Sequence, residues 1–401
     1  MLTSSTKNNF QFFLLCLSSF LFFSSFNMII PELPDYLAKL GGEEYIGLII
    51  ALFTVTAGLS RPFSGKLADK IGRIPVMVVG SVVCFFAGFL YPLVSSVAAF
   101  LFLRFLHGFS TGFKPTGTSA YVADLIPRHK RGEAMGILGF SSSTGMALGP
   151  ALGGYVAVNY STDVMFYLSS VFALISVLVL IGMKETLEPR EKFRPALLKI
   201  KKSDVFEPRV IDAALVLMLS VFSFGVVLTL VPDLSTSLGI ENKGLFFSYF
   251  TIASLFVRII GGRASDKFGR VVMLKWSNLV LMIALVLIGF SATKFFFLFA
   301  AVIFGIGVGL NYPAIMAWAI DLSDENHRGR AMATVYIALE IGIGTGAVIA
   351  GWIYQGITSN LAFAFWTAAL FSFLALIYLV FGLKKFKLTE RLSAVQIKGV
   401  K

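Results

Sequence analysis

Cysteine, histidine and acidic residues are all scarce in this chain of 401 residues, which has two Cys, three His and 22 Asp plus Glu. Cys16 and Cys84 lie in apolar stretches without a vicinal partner, which excludes a disulfide framework. His107, His129 and His327 are scattered and form no H-x-x-H spacing, so no metal centre is expected. No G-x-x-x-x-G-K-[ST] loop occurs, which argues against nucleotide hydrolysis, and no cofactor is expected. A membrane-embedded enzyme would need clustered nucleophiles or metal ligands, and none is visible. Charged residues of either sign make up only 14% of the chain, whereas 57% is hydrophobic, including 41 Phe. A mean hydropathy of +0.83 is that of a polytopic membrane protein.

A span needs roughly 20 mostly apolar residues. Twelve such stretches are expected, at about 10–30, 45–64, 75–94, 98–122, 133–157 and 164–183, then about 211–231, 244–262, 271–290, 295–320, 330–354 and 362–383. The first lacks a small-residue cleavage site, so it reads as a span rather than a signal peptide. Pro31, Pro34 and Pro232 are expected to mark the outer ends of the first and seventh spans.

The net charge of +12 tempts a nucleic-acid reading, but the basic residues are sorted by side. Lys39, Lys243 and Lys294 fall in outer loops; Arg61, Arg104, Lys114 and Arg258 lie within or at the edge of spans. The others occupy alternate loops and the termini, as positive-inside sorting dictates. The expected partner is the lipid bilayer and not nucleic acid, with both termini cytoplasmic in a bacterial-type inner membrane. The hydrophilic stretch from Lys184 to Arg209 is either an amphipathic helix on the inner leaflet or a plain linker. It divides the chain into six spans over 1–183, a linker over 184–210, six spans over 211–383 and a tail over 384–401.

The two sets are copies. Gly65-Lys-Leu-Ala-Asp69-Lys70-Ile-Gly72-Arg73 returns 197 residues later as Gly262-Arg-Ala-Ser-Asp266-Lys267-Phe-Gly269-Arg270. The same offset carries Asp124 to Asp321, Arg131-Gly132 to Arg328-Gly329, and Gly145, Gly149 and Gly154 to Gly342, Gly346 and Gly351. Six spans per copy return the chain to the same side, so the repeats are parallel, related by an axis along the membrane normal. Such halves usually rock about a central substrate site. The glycines of the repeated segment allow a tight turn, and a carboxylate at Asp69 or Asp266 suits a neighbouring helix N-terminus near Arg131 or Arg328. That contact would latch the inner side when shut; a topology-setting turn is the alternative.

This motif, present twice in a twelve-span chain, resembles that of the major facilitator superfamily. The family pattern often ends in a further basic residue, where this chain has Ile74 and Val271. Arg104-Phe-Leu-His107-Gly108 is similar to the R-x-x-x-G element of proton-coupled members, which implies a part for Arg104 in proton movement. Gly145, Gly149, Pro150, Gly153 and Gly154 complete the pattern G-x-x-x-G-P-x-x-G-G, which resembles the helix-5 signature of drug/proton antiporters. Generic glycine packing is its alternative reading. The resemblance implies a cavity lined by helices 1, 4, 7 and 10, where Lys114 and its counterpart Asn311, beside Tyr312, are candidates to meet substrate. A lysine snorkelling to the inner surface is the other reading of Lys114. Glu340, near mid-membrane and opposite Ser143 in the repeat, is a candidate proton carrier or else a structural salt bridge. Arg61 and Arg258 are repeat counterparts for which snorkelling or structural pairing is expected.

The expected function is a secondary transporter working by alternating access as a monomer, exporting a small organic compound or drug against protons. A proton symporter or facilitator for a sugar or organic anion is the same-class rival, and a transporter-derived sensor or scaffold the different-class rival.

Overall fold

In a computed structural model the chain is described over residues 2–126, 131–200, 205–323 and 328–383. The side chains of 2–8, 131–133, 259–264, 266–267 and 328–330 lie outside that description. Among the described residues all regular structure is helical. Twelve long helices follow one another: α1 Leu2–Ile29, α2 Ile46–Lys70, α3 Arg73–Leu90, α4 in two segments (Val97–His107 and Phe109–Leu125), α5 Arg131–Asn159 and α6 Thr162–Ile181. The second set is α7 Ile211–Ser237, α8 Gly244–Phe268, α9 Arg270–Gly289, α10 Lys294–Leu322, α11 Arg328–Tyr354 and α12 Leu361–Ile377. Nine helices among the described residues are long and apolar enough to cross a membrane by length and composition alone. Of the other three, α4 is divided into segments of 11 and 17 residues, α8 is apolar over its described part Gly244–Arg258, and α5 carries many Gly and Ser residues, which let helices meet closely in lipid.

Helix ends follow local chemistry. Ser96 and Thr293, repeat counterparts, cap α4 and α10 by accepting the amides of Ala99 and Phe296 at 3.3 Å. Gly72 and Gly269 precede α3 and α9 with φ of 140° and 91°, a region that side-chain-bearing residues avoid. Pro31 ends α1, which passes through a 3-10 turn into the short helix Leu33–Lys39. Pro232, expected at the end of α7, lies inside it.

Interhelical polar contacts between small side chains tie each half. Ser18 meets Ser176 at 2.8 Å and Ser25 meets Ser169 at 3.1 Å in the first. Ser220 donates to Asn278 at 2.8 Å, and Asn311 to Ser277 at 2.8 Å, in the second. Each such bond is worth about 0.6 kcal/mol in a membrane helix bundle. The stretch between the halves forms no amphipathic helix among its described residues; it carries only the short turns Pro195–Leu198 and Pro208–Val210. It is strapped to the first half instead: Leu197 is buried beside Leu67, Ala68 and Val76. Lys70 bonds Glu191 at 2.9 Å, and together with Arg194 it holds that carboxyl below its usual range.

The halves meet along two seams, α2 against α11 and α5 against α8. At the outer ends the backbones touch. A Cβ on Gly47 of α2 would sit 2.5 Å from the Ala347 carbonyl of α11, and one on Gly244 of α8 would sit 1.9 Å from that of Pro150 on α5. Lys243 clasps Asp35 across the halves, with Glu32 at 3.9 Å. Farther inward on α5 the packing loosens: a Cβ at Gly136 or Gly139 would meet nothing within 4 Å.

Candidate functional site

A cavity of about 370 Å³ lies between the halves. Its wall is drawn from α1, α2, α4 and α5 of the first half and α7 to α11 of the second, wider than the four helices expected. Phe23, Met146, Phe224, Phe250 and Leu281 make it largely apolar, while Ser142, Ser143, Ser223 and Asn311 add neutral polar groups. Two arginines, Arg61 and Arg258, carry its charge.

Arg61 does not snorkel. It crosses from α2 to α11, where its Nη2 and Nε donate to Glu340 Oε1 at 2.8 and 3.3 Å, and its guanidinium lies 4.5 Å from the centre of the Tyr336 ring. Both partners are largely buried, with side chains 13% and 9% exposed. An isolated charge at this depth is costly, so an ion pair that also satisfies donors is the form in which either residue is tolerated. Gly58 leaves room for the pair, since a Cβ there would sit 3.3 Å from Glu340 Cβ. Glu340 also borders an apolar crevice of about 660 Å³ between α2 and α11.

Arg258 stands in the equivalent place on α8. It too reaches across the seam, to Ser143 of α5, but its Nη1 lies 3.4 Å from that hydroxyl and its guanidinium 5.7 Å from the centre of the Tyr312 ring. Its Nε is buried without an acceptor. The offset of 197 takes Arg61 to Arg258 and Ser143 to Glu340, so the two seams carry one device in two versions. Sequence reasoning found the symmetry of the arginines and the asymmetry of Glu340 but not that they meet. The signal was present in the shared offset.

Lys114 is a correction. It is 1% exposed and points into the first half, where Nζ donates to Ser18 Oγ at 2.5 Å. It neither borders the cavity nor reaches the inner surface. The neighbouring turn of α4 faces two ways: Thr111 and Pro115 border the cavity, and Lys114 turns towards α1. Its counterpart Asn311 does border the cavity while bonding Ser277, and Tyr312 borders it as well.

Arg104 is also fully buried and away from the cavity. It donates to the Ile49 carbonyl of α2 at 3.0 Å and to the Tyr91 hydroxyl at 3.3 Å, with its guanidinium 4.7 Å from the Phe53 ring centre. His107 joins this network and continues it to Cys84 at 3.4 Å. Gly108 is required because a Cβ there would sit 2.2 Å from the Phe53 carbonyl. Arg104 and Glu340 do not touch; α2 connects them, gripped by Arg104 at Ile49 and bearing Arg61 twelve residues on, about 18 Å along the helix.

The repeated loop segment is organised within each half. Arg73 bonds Asp69 at 2.5 Å and Asp124, at the inner end of α4, at 2.9 Å, and Glu185 accepts the Arg73 and Ile74 amides at 3.0 Å. In the second copy Arg270 pairs with Asp321 at 3.2 Å. Asp69 is thus held by its own motif here and not on a helix of the other half; its carboxylate is 70% exposed. Gly65 faces open space. The side chains of Asp266 and Lys267, with the Gly262 position, lie outside the described residues, as do those of Arg131 and Arg328. Arg73→Ala removes the side-chain bonds to Asp69, Asp124 and the Ala68 carbonyl at once and is expected to loosen the linker side of α3. Faster proteolysis between residues 184 and 200 would report it, and an unchanged cleavage rate would count against that role.

The helix-5 glycines divide between two neighbours. Gly145, Gly149 and Gly153 face α1 of the same half, where a Cβ would lie 2.2 to 2.6 Å from the carbonyls of Phe20, Ser24 and Met28. Pro150 and Gly154 face the other half, against Gly244 and Asn242. One pattern therefore serves both bundle packing and the outer seam.

Two six-helix sets sharing a repeat, with a cavity between them, are the architecture of a membrane transporter. The chain belongs to the Major Facilitator Superfamily, whose family model matches residues 15–241 and 213–398. It is 26% identical over 360 residues to the quinolone resistance protein NorA of Staphylococcus aureus (strain MSSA476), covering 86% of this chain and 90% of that protein. It is 28% identical over 353 residues to the multi-drug resistance efflux pump PmrA of Streptococcus pneumoniae serotype 4, covering 83% and 87%. In fold it is similar to the human organic anion transporter MFSD10, with TM-score 0.71 at 21% identity over 93% of this chain and 99% of that one. The inward-open xylose transporter XylE of E. coli gives TM-score 0.75 at 15% identity, covering 92% and 95%. The protein is thus an integral multi-pass membrane transporter and not an enzyme.

Proposed function

We propose that this transporter exports small organic compounds in exchange for protons, with both termini on the cytoplasmic side of a bacterial-type inner membrane. The observation that carries the reading is the Arg61–Glu340 pair, which joins the halves at the cavity wall. Glu340 is a carboxylate that the repeat does not demand, placed where its pair with Arg61 ties α2 to α11. Protonating it weakens the attraction to Arg61 and frees the seam; deprotonating it restores the pair. The similarity to NorA and PmrA supports export of drug-like compounds, and the mainly apolar cavity wall suits them.

In this reading the outer contacts of Gly47, Gly244 and Lys243 hold an inward-facing state. The motif residues Gly65, Asp69, Lys70, Gly72 and Arg73, with Gly262, Asp266, Lys267, Gly269 and Arg270, act when the inner ends close. Asp69 would then leave Arg73 for a helix N-terminus of the other half. Arg104 acts at a distance, by fixing α2 against α4. Everted vesicles carrying the protein test the proposal. Compounds should accumulate inside when the lumen is acidic, and accumulation should collapse when the gradient is dissipated. Accumulation independent of the pH gradient, or proton-driven movement out of the vesicles, would refute it.

A further inference from the structure

We propose that Arg258, Ser143 and Gly139 form a subsite for an aromatic carboxylate, the anionic end of a transported compound. The inference rests on the transporter reading above and extends it to a substrate class. The protein itself supplies the template. In the first seam Arg61 is filled by two groups from α11: the Glu340 carboxylate on its donors and the Tyr336 ring on its face. The repeat offset maps Glu340 onto Ser143 and Tyr336 onto Gly139. At the second seam the arginine is therefore kept while both of its fillers are reduced, one to a hydroxyl and one to a hydrogen.

The geometry agrees with that reduction. A Cβ on Gly139 would meet nothing within 4 Å among the described residues, and Gly139, Ser143 and Arg258 all border the cavity. The Ser143 hydroxyl at 3.4 Å is a poor acceptor for the guanidinium, and Nε is buried with no acceptor at all. No carboxylate among the described residues lies within ion-pair distance of Arg258. Arg61 is neutralised by Glu340, so among the described residues the cavity is left with one uncompensated cation. A guanidinium presents parallel donors that match a carboxylate, and its face accepts an aromatic ring. A ligand joining an aromatic ring to a carboxylate would restore at Arg258 what Tyr336 and Glu340 supply at Arg61, with Ser143 free to donate to its second oxygen. A neutral analogue would leave Arg258 as it is.

Equilibrium binding to the purified protein in lipid nanodiscs at pH 7 tests this, with 1-naphthoate and a quinolone carboxylic acid each compared with its primary amide. The acid should bind at least about tenfold more tightly than the amide, as an added charge-assisted pair predicts. Arg258→Gln should bring the ratio to within about twofold by removing the cation. Ser143→Glu should do the same by supplying an internal carboxylate that rebuilds the first seam's pair. Because the second variant adds a salt bridge, its loss of binding is not explained by an unfilled buried charge. Equal binding of acid and amide to the unmodified protein, or a preference that survives both variants, overturns the proposal. Proton-driven export of neutral compounds with no acid preference would remove the subsite and leave the export reading standing. An Arg258-dependent acid preference without proton-driven export would do the reverse.

Discussion

Glu340→Gln is expected to abolish pH-driven export while leaving binding and gradient-free exchange of compounds within about threefold of their original values. The side chain sits where Arg61 bonds it at 2.8 Å across the seam. Glutamine keeps an acceptor for the guanidinium and nearly the same shape, so the protein still folds with its cavity, but the seam is held in the weakened state of a protonated carboxyl. It cannot take up or release a proton, and a step driven by that event loses at least about tenfold in rate. Arg61 would then be a buried cation facing a neutral amide, and breaking a buried pair outright costs about 3–5 kcal/mol. Some loss of thermal stability therefore accompanies the substitution. Restoring stability with Arg61→Gln in the same chain, without restoring pH-driven export, separates the two effects. Full pH-driven export by Glu340→Gln would show that the carboxylate is structural only.

The second large effect is expected at the outer seam. Gly244→Val should hold the outer ends apart, because a Cβ there would lie 1.9 Å from the Pro150 carbonyl and 2.2 Å from its carbon. Backbone cannot yield as a flexible side chain would, so the seam itself must open. Cysteines introduced near Asn242 or Leu152 should react with an impermeant outside reagent at least about tenfold faster than in the unmodified protein, the size of a modest shift between two states. Gly149→Val offers the contrast. It meets Ser24 of the same half at 2.6 Å, so it should cost about 1–3 kcal/mol of bundle stability by overpacking without raising outer labelling. Equal labelling in both variants would show that the helix-5 residues do not divide between packing and gating.

The architecture was legible because lipid leaves few options. Long apolar runs must be helices, and a gap-free offset of 197 residues fixes how many there are and how they pair. The offset also located the cavity's two arginines, but left open whether they snorkel or pair. Whether a long cationic side chain points along the helix to water or across to a neighbour depends on the neighbour's identity and distance, which no single helix encodes. Lys114 shows the same limit. Equivalence to Asn311 placed it at the right depth, yet one turn of α4 carries residues to opposite faces, and the Ser18 hydroxyl on α1 drew it inward. The Gly72 and Gly269 turns and the glycines of α5 were readable, since close backbone approach needs a residue without Cβ. Which partner each glycine approached was not, because both α1 and α8 pack against α5. The outer clasp of Lys243 with Asp35 went unseen for a related reason: it joins positions 208 residues apart that no repeat relates.

The central claim is that substrate binding in the cavity is coupled to proton release from Glu340 at the Arg61–Glu340 seam. Proton release on substrate binding tests it most directly, measured with a pH indicator in weakly buffered, purified protein and a compound taken from the vesicle screen. The account predicts release of about one proton per protein at a pH where Glu340 is protonated, and none from Glu340→Gln. Equal release from both proteins, or none from the unmodified one across the pH range of transport, would contradict it.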